Sequence, residues 1–182
     1  MVFVMSELQK ILDQYGVKES EMPFGNGHIN NTYVVGDLVV QRINTDVFHD
    51  YKGVMDNILA VTDFLRQKIS AEGGDPERET LTVVPTIDGR NYVVEDEGVF
   101  RAYRRILNAT SHDFASYDLL REAGKGFGHF QTLLSDFPVD QLNETIPDFH
   151  DTRKRFDALC SAIHMDICGR VESVKEEIGF AL

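Results

Sequence analysis

Cysteine is scarce: the chain of 182 residues has two, Cys160 and Cys168. One possible pair cannot build a disulfide framework, so a reducing, cytoplasmic location is expected. Positive charge is also short, with 18 Lys+Arg against 30 Asp+Glu and a net charge of -12. That excludes a broad nucleic-acid or anionic-membrane surface, which needs clustered cations. It leaves room for a local phosphate site built from backbone N–H groups. No stretch approaches the ~18–20 apolar residues of a membrane span. The opening Met1-Val2-Phe3-Val4-Met5 is too short for a signal peptide. Repeats and low-complexity tracts are missing too. What remains, 42% hydrophobic and 26% charged, is a globular composition sized for one domain or two small lobes.

The patterning is α+β. Ser6-x-x-Gln9 reads as a capping box, followed by Leu8, Ile11, Leu12 and Tyr15 at helical spacing, with Gly16 as a stop. Residues 22–43 read as strand, glycine loop, strand, tight turn and strand. Thr32-Tyr33-Val34-Val35 and Leu38-Val39-Val40-Gln41 are separated by Gly36-Asp37, which suits a type II′ turn. Asn44, Thr45 and Asp46 offer N-caps for an amphipathic helix around Phe48–Leu65 that Gly73-Gly74 closes. Leu81–Val84, Tyr92–Val94 and Val99–Tyr103 are three further expected strands, with turns at Asp88-Gly89 and Glu97-Gly98. Antiparallel hairpins interrupted by one long helix indicate an α+β lobe over 1–106 rather than a doubly wound sheet.

After a linker at 107–114 the pattern becomes helical over 115–182. Leu119, Leu120, Ala123, Phe127, Phe130, Leu133, Leu134 and Phe137 form one stripe. Phe156, Leu159, Ile163 and Ile167 form a second, preceded by Asp151 as an N-cap, and a third helix is expected from Glu172. The third stripe reaches Phe180-Ala181-Leu182 without a cap or polar tail, which leads us to expect a longer parent protein. Cys160, His164 and Cys168 fall on one helix face, where three successive turns spread too far for tetrahedral zinc, so a buried stripe is expected there.

Phe24-Gly25-Asn26-Gly27-His28-Ile29-Asn30-Asn31-Thr32-Tyr33 is the most informative stretch. Two glycines around an Asn, between strands, let backbone N–H groups approach an anion; the plainer reading is a bulged hairpin. It is not the dinucleotide fingerprint, because a strand follows and the third glycine is absent. A glycine loop between the first two strands, a third strand, one long helix and more strands form the order of a protein-kinase-like N-lobe.

Particular words then point further. Gly-Asn-Gly-His-Ile-Asn-Asn-Thr-Tyr, Gln41-Arg42-Ile43-Asn44-Thr45, Phe100-Arg101-Ala102-Tyr103, Arg121-Glu122-Ala123-Gly124, Phe127-Gly128-x-Phe130-Gln131 and Glu144–Thr152 resemble the bacterial N-acetylhexosamine 1-kinases. These belong to the aminoglycoside/choline/homoserine kinase-like superfamily. The resemblance implies an ATP-dependent sugar kinase with Mg2+ neutralising the phosphates. It implies nucleotide contacts at Gly25, Asn26 and Gly27, at Gln41 or Arg42, and at Tyr103 and Arg104, where the last strand leads to the hinge. It implies sugar contacts at His28 and Asn30; the plain alternative for His28 is a brace of the hairpin. Asp56 and Asn57 are the candidates for the helix's polar partner, against a solvated face for Asp56.

The resemblance also covers only the first half of such a kinase. A His-x-Asp-x-x-x-x-Asn catalytic loop is expected and not found. His164-Met165-Asp166 matches its first letters, but position 171 is Val. Asp96-Glu97-Gly98 reads as a hairpin turn. No catalytic base and no metal ligand are therefore assigned to this chain, and it is expected to be inactive alone. The alternatives are a stand-alone degenerate lobe acting as a binding or regulatory module, or a kinase for another small alcohol such as choline or homoserine. Exposed apolar helices are expected to favour self-association.

Overall fold

The structure, a computed structural model, describes residues 2–18, 22–23, 29–110, 112 and 114–181. Its contacts divide the chain into two compact units, Met1–Thr145 and Ile146–Leu182.

The first unit begins with helix α1 (Val2–Gln14). The expected capping box does not start it, because the helix is already under way at Ser6. Its end is the expected one. Gly16 adopts φ +73°, and the amides of Gly16 and Val17 donate to the carbonyls of Asp13 and Leu12. This pair of bonds is a Schellman motif, which needs a left-handed residue that glycine supplies without strain.

Strands β1 (Met22–Pro23), β2 (Asn31–Val35) and β3 (Leu38–Ile43) follow. At the β2–β3 turn Gly36 has φ +57°, and Asp37 is not among the residues with positive φ. That is the type II′ combination the sequence suggested. Later come β4 (Val93–Glu95) and β5 (Gly98–Arg104). The five strands are antiparallel in the order β1-β2-β3-β5-β4.

Alternation sorts the side chains onto two faces. Val35, Leu38, Val40, Val93 and Ala102 pack under Leu8, Ile11, Leu12 and Tyr15 of α1. Ile11 and Leu12 are fully buried there, each contributing about 1.5–3 kcal/mol of apolar transfer free energy. On the opposite face Ile43 and Val99 meet Met55, with Phe48, Tyr51 and Ile58 alongside. These belong to, or just precede, helix α2 (Tyr51–Ala71).

The start of α2 differs from expectation. The N-cap of α2 is Asp50, whose carboxylate accepts the Gly53 amide at 2.9 Å. The Asn44–Asp46 cluster serves a turn instead: Asn44 Oδ1 accepts the Asp46 amide at 3.0 Å, and the Asn44 carbonyl accepts from Val47 and Phe48. The helix therefore starts later than Phe48, and it ends where expected, at Gly73 and Gly74, which donate to Ser70 and Ile69 in a second Schellman motif.

Leu81–Val84 is not a full strand. It makes one bridge, Val83 to Tyr103, flanked by bonds from Arg104 to the Thr82 carbonyl and from Val84 to the Ala102 carbonyl. Pro85 follows and has no N–H to extend the ladder. The β4–β5 loop is Asp96-Glu97, with Glu95 opposite Gly98, one residue earlier than the expected turn. The Asp88-Gly89 turn is present, with Gly89 donating to the Thr86 carbonyl at 2.9 Å.

A short helix α3 (Pro76–Glu79) joins α2 to this region. Helix α4 (Tyr117–Leu133) is capped by Ser116, which accepts the Leu119 amide. It meets α2 through Leu65, Ile69 and Leu133, and Phe64 sits edge-on to Phe137 at 5.2 Å.

The second unit holds α5 (Thr152–Met165) and α6 (Lys175–Ala181), with a 3-10 turn at Val171–Val174 before α6. Asp151 caps α5 as expected, accepting the Lys154 amide at 2.8 Å. Asp166 ends it at φ +37°, and its carboxylate accepts the Arg170 and Val171 amides. The His164-Met165-Asp166 triplet is thus a helix terminus. Ile167 and Cys168 lie beyond the helix, and Cys168 is exposed, so the expected buried Cys-His-Cys stripe does not form.

Candidate functional site: two rows across the sheet

Of the residues expected to bind nucleotide and sugar, Gln41 and Tyr103 lie on one face of the sheet and Arg42 and Arg104 on the other. Gly25, Asn26, Gly27 and His28 themselves lie outside the described residues. The strands that flank them are described, and their register builds two rows on the face shared with α2.

The first row is polar. Thr32 on β2 stands opposite Gln41 on β3, which stands opposite Arg101 on β5. Arg101 donates from Nε at 3.2 Å and from Nη2 at 3.1 Å to Gln41 Oε1. Gln41 Nε2 donates to Thr32 Oγ1 at 3.0 Å. A guanidinium has only donors and the Gln amide only one acceptor atom, so this amide orientation satisfies both neighbours and the reverse would not.

The second row is apolar and aromatic. Val34, Val39 and Tyr103 stand opposite one another, two residues along the same strands. Tyr103 is 6% exposed and Arg101 is 9% exposed. The Arg101 Cζ lies 5.2 Å from the centre of the Tyr103 ring, within cation–π range. Burial pushes the Tyr103 hydroxyl above the ordinary tyrosine range, and the guanidinium beside it pulls it partly back. Burial likewise lowers Arg101, opposed by Tyr103; an arginine remains charged regardless.

Alternation puts Gln41 on this face and Arg42 on the other. Arg42 reaches back across Gly98, where a Cβ would come within 2.8 Å of its Nε. It also lines a polar recess of about 230 Å3 with Ile29, Asn31, Ile43, Asn44, Thr45 and Asp46. Asn30 sits at the entrance to β2, where its Oδ1 accepts the Asn44 amide at 3.0 Å. Arg104 is exposed on the face opposite Tyr103. It pairs with Asp37 at 3.1 Å and lies 4.0 Å from Glu77, away from the Gln41 row.

In α2, Asp56 is solvent-exposed. Asn57 instead grips the backbone of Asn143, donating to its carbonyl at 2.9 Å and accepting its amide at 2.8 Å. Neither meets Gln41. Among the described residues no group of three or more His, Cys, Asp or Glu side chains converges as a metal ligand set. No described helix is long and apolar enough to cross a membrane.

Sequence reading passed over Arg101 as a site residue. The signal was available: a lone cation in the middle of Val99–Tyr103, where both faces of the strand are apolar and buried.

Among solved structures, the fold matches the GDP complex of a point mutant of aminoglycoside 2'-phosphotransferase-IIIa. The TM-score is 0.52 at 15% sequence identity, covering 96% of this chain. The chain spans 56% of the length of that structure. No family model matches the chain. At this identity the likeness establishes the fold: a kinase-like antiparallel lobe followed by helices.

Proposed function

We propose that the chain is the nucleotide-binding lobe, with the first helices of the second lobe, of an ATP-dependent kinase that phosphorylates the anomeric hydroxyl of an N-acetylhexosamine. The observation that carries this reading is the pair of rows on the face of the sheet shared with α2. Val34, Val39 and Tyr103 offer an apolar and aromatic platform for a base, and Thr32, Gln41 and Arg101 offer hydroxyl, amide and cation for phosphate. The kinase-like fold and the sequence resemblance agree with it. The backbone amides around Gly25, Asn26 and Gly27 would cover the phosphates. Tyr103 and Arg104 would lead the chain past the adenine. Arg42, on the far face, would act through the polar recess it lines.

Mg2+ would screen the phosphates, and its ligands and the catalytic base would come from residues outside this sequence, which has no His-x-Asp-x-x-x-x-Asn. The chain alone is then a nucleotide binder without turnover in the cytoplasm. That same lack favours the second reading, a lobe that binds nucleotide as a regulatory module.

His28 and Asn30 would face the sugar. Asn30 Oδ1 is already engaged by Asn44, which leaves its Nδ2 as the donor to a hydroxyl. Titrating the purified chain with ATP, GTP and adenosine by calorimetry tests the reading. Binding that prefers a triphosphate to adenosine supports it, and no binding of any of the three overturns it. In a kinase assembled on this lobe, His28→Val is expected to change selectivity between two epimeric sugars by about three- to tenfold, one hydrogen bond's worth. ATP affinity should stay unchanged; an unaltered ratio with a lower melting point would assign His28 to the hairpin instead.

A further inference from the structure

Protein kinases carry a phosphate-binding Lys on the third strand; here that strand offers Gln41 and Arg42, and Arg42 points to the opposite face from Gln41. A cation nevertheless stands on the right face, one strand over. Arg101 enters from β5, directly opposite Gln41, and is among the most buried charged side chains of the described residues.

Its surroundings leave it incomplete. Gln41 Oε1 takes two of its N–H groups. A guanidinium has five, and the other three have no partner among the described residues. Among those residues no Asp or Glu pairs with it either, and Tyr103 is the charged or titratable neighbour that acts on it. A buried charge is costly unless it is paired and hydrogen-bonded, and a phosphate would supply the counter-charge that the described residues do not. Arg101 lies on the two-row face, and Thr32, the far member of the polar row, is four residues past His28 in the sequence.

We propose that Arg101 is the cation that receives the phosphates of a bound nucleoside triphosphate, and that Gln41 is the residue that positions it. This rests on the phosphotransferase reading above. The guanidinium fork suits two phosphate oxygens at once, where a lysine offers a point charge. The pairing also gives a physical reason for Gln at position 41. A lysine there would face Arg101 with a like charge and no acceptor. The Gln amide accepts from Arg101 at one end and donates to Thr32 at the other, which fixes the guanidinium plane.

The test compares the unmodified chain with Arg101→Met, Arg101→Lys and Gln41→Met, using ATP, adenosine and tripolyphosphate as separate probes, with thermal melts in parallel. ATP affinity should fall about 10- to 100-fold in Arg101→Met, the scale of a lost charged hydrogen-bond pair, while adenosine affinity stays within about twofold, as an apolar platform left intact implies. Arg101→Lys should recover part of the ATP affinity. Gln41→Met should lose part of it and leave adenosine binding alone. Tripolyphosphate should compete with ATP on the unmodified chain and fail on Arg101→Met. If Arg101→Met binds ATP and adenosine in the original ratio, Arg101 is not the phosphate cation and the kinase reading stands. If the unmodified chain binds neither ATP nor adenosine, the kinase reading falls and takes this proposal with it. Should Arg101→Met not fold, the arginine side-chain Nε–H resonances of the unmodified chain decide. One buried Arg signal, assigned through Arg101→Lys, must shift on adding tripolyphosphate, and a signal unmoved at saturation overturns the proposal.

Discussion

At the residue scale, the fold places titratable groups where the solvent cannot reach them. Tyr15 sits under the sheet with its hydroxyl 3.5 Å from the Phe100 carbonyl. Burial pushes it well above the ordinary tyrosine range, with Arg90 opposing slightly. Tyr103, on the other face, is raised for the same reason. The sign of the pH effect follows. The folded chain holds both protons at a pH where the unfolded chain has released them. The stabilisation is whole below the normal tyrosine value of about 10 and is lost as pH rises beyond it. Urea midpoints measured from pH 8 to 11 should therefore fall above about pH 10, and Tyr15→Phe should flatten the fall. An equally steep fall in Tyr15→Phe would place the alkaline transition elsewhere. On the acid side the lowered carboxylates are exposed. Glu77 is held down by its hydrogen bond from Arg66, Asp88 by Thr86 and then Arg90, and Asp136 by Lys68. Water screens such pairs, and their loss at low pH should matter little.

At the scale of elements, glycines in helices of the same chain should respond in opposite directions to one substitution. Gly124, Gly126 and Gly128 lie in α4 with nothing within 4 Å of a would-be Cβ. Alanine there should stabilise by about 0.5–1 kcal/mol each, by removing freedom from the unfolded chain. Gly53 lies in the first turn of α2, where a Cβ would come within 2.3 Å of the Asp50 carboxylate and 3.0 Å of Asn143. Gly53→Ala must push away the capping carboxylate, and losing such a cap costs about 1 kcal/mol. Gly73 has open space but φ +80°, so Gly73→Ala should cost about 1–2 kcal/mol from backbone strain alone. Chemical denaturation of the single variants checks the signs, and a stabilised Gly53→Ala would refute the cap argument. These elements also show what the sequence could and could not reveal. Gly36-Asp37, Gly73-Gly74, Ser116 and Asp151 act locally, through their own backbone angles or side-chain oxygens, and each does what its residue type suggests. Asn44–Asp46 offered caps as good as Asp50, and only the packing of Phe48 and Tyr51 beside Met55 decides which turn begins the helix. The polar row of the site was hidden for a similar reason. Gln41 and Arg101 are sixty positions apart, and only the β3–β5 register brings them opposite.

At the scale of the whole molecule, the distribution of apolar surface is uneven. The sheet buries most of its apolar side chains, and Val40, Val93 and Ala102 are wholly enclosed. The helices after residue 115 do not. In the first unit, α4 packs on α2 through Leu133 but leaves Leu120, Phe127 and Phe130 open, Phe127 at 73% exposure. In the second unit, Phe149, Met165 and Ile167 are open, and Phe180 is 94% exposed. That unit also carries an apolar hollow of about 420 Å3 bounded by Leu159, Ile163, Ile167, Val171, Val174 and Ile178. Soluble monomers rarely leave contiguous apolar patches beyond a few hundred Å2. These faces are exposed among the described residues, and at high concentration a second copy can cover them. The net charge of -12 opposes that association at low salt and does so less as salt screens it. The purified chain should therefore sediment as a monomer at low ionic strength and low concentration, and as larger species when both rise. Phe127→Glu with Phe180→Glu should restore the monomer under those conditions. Both side chains are open to solvent, so the melting temperature should hold. Monomer sedimentation of the unmodified chain at high salt and high concentration, with no binding of a hydrophobic dye, would show that these faces are satisfied by water alone.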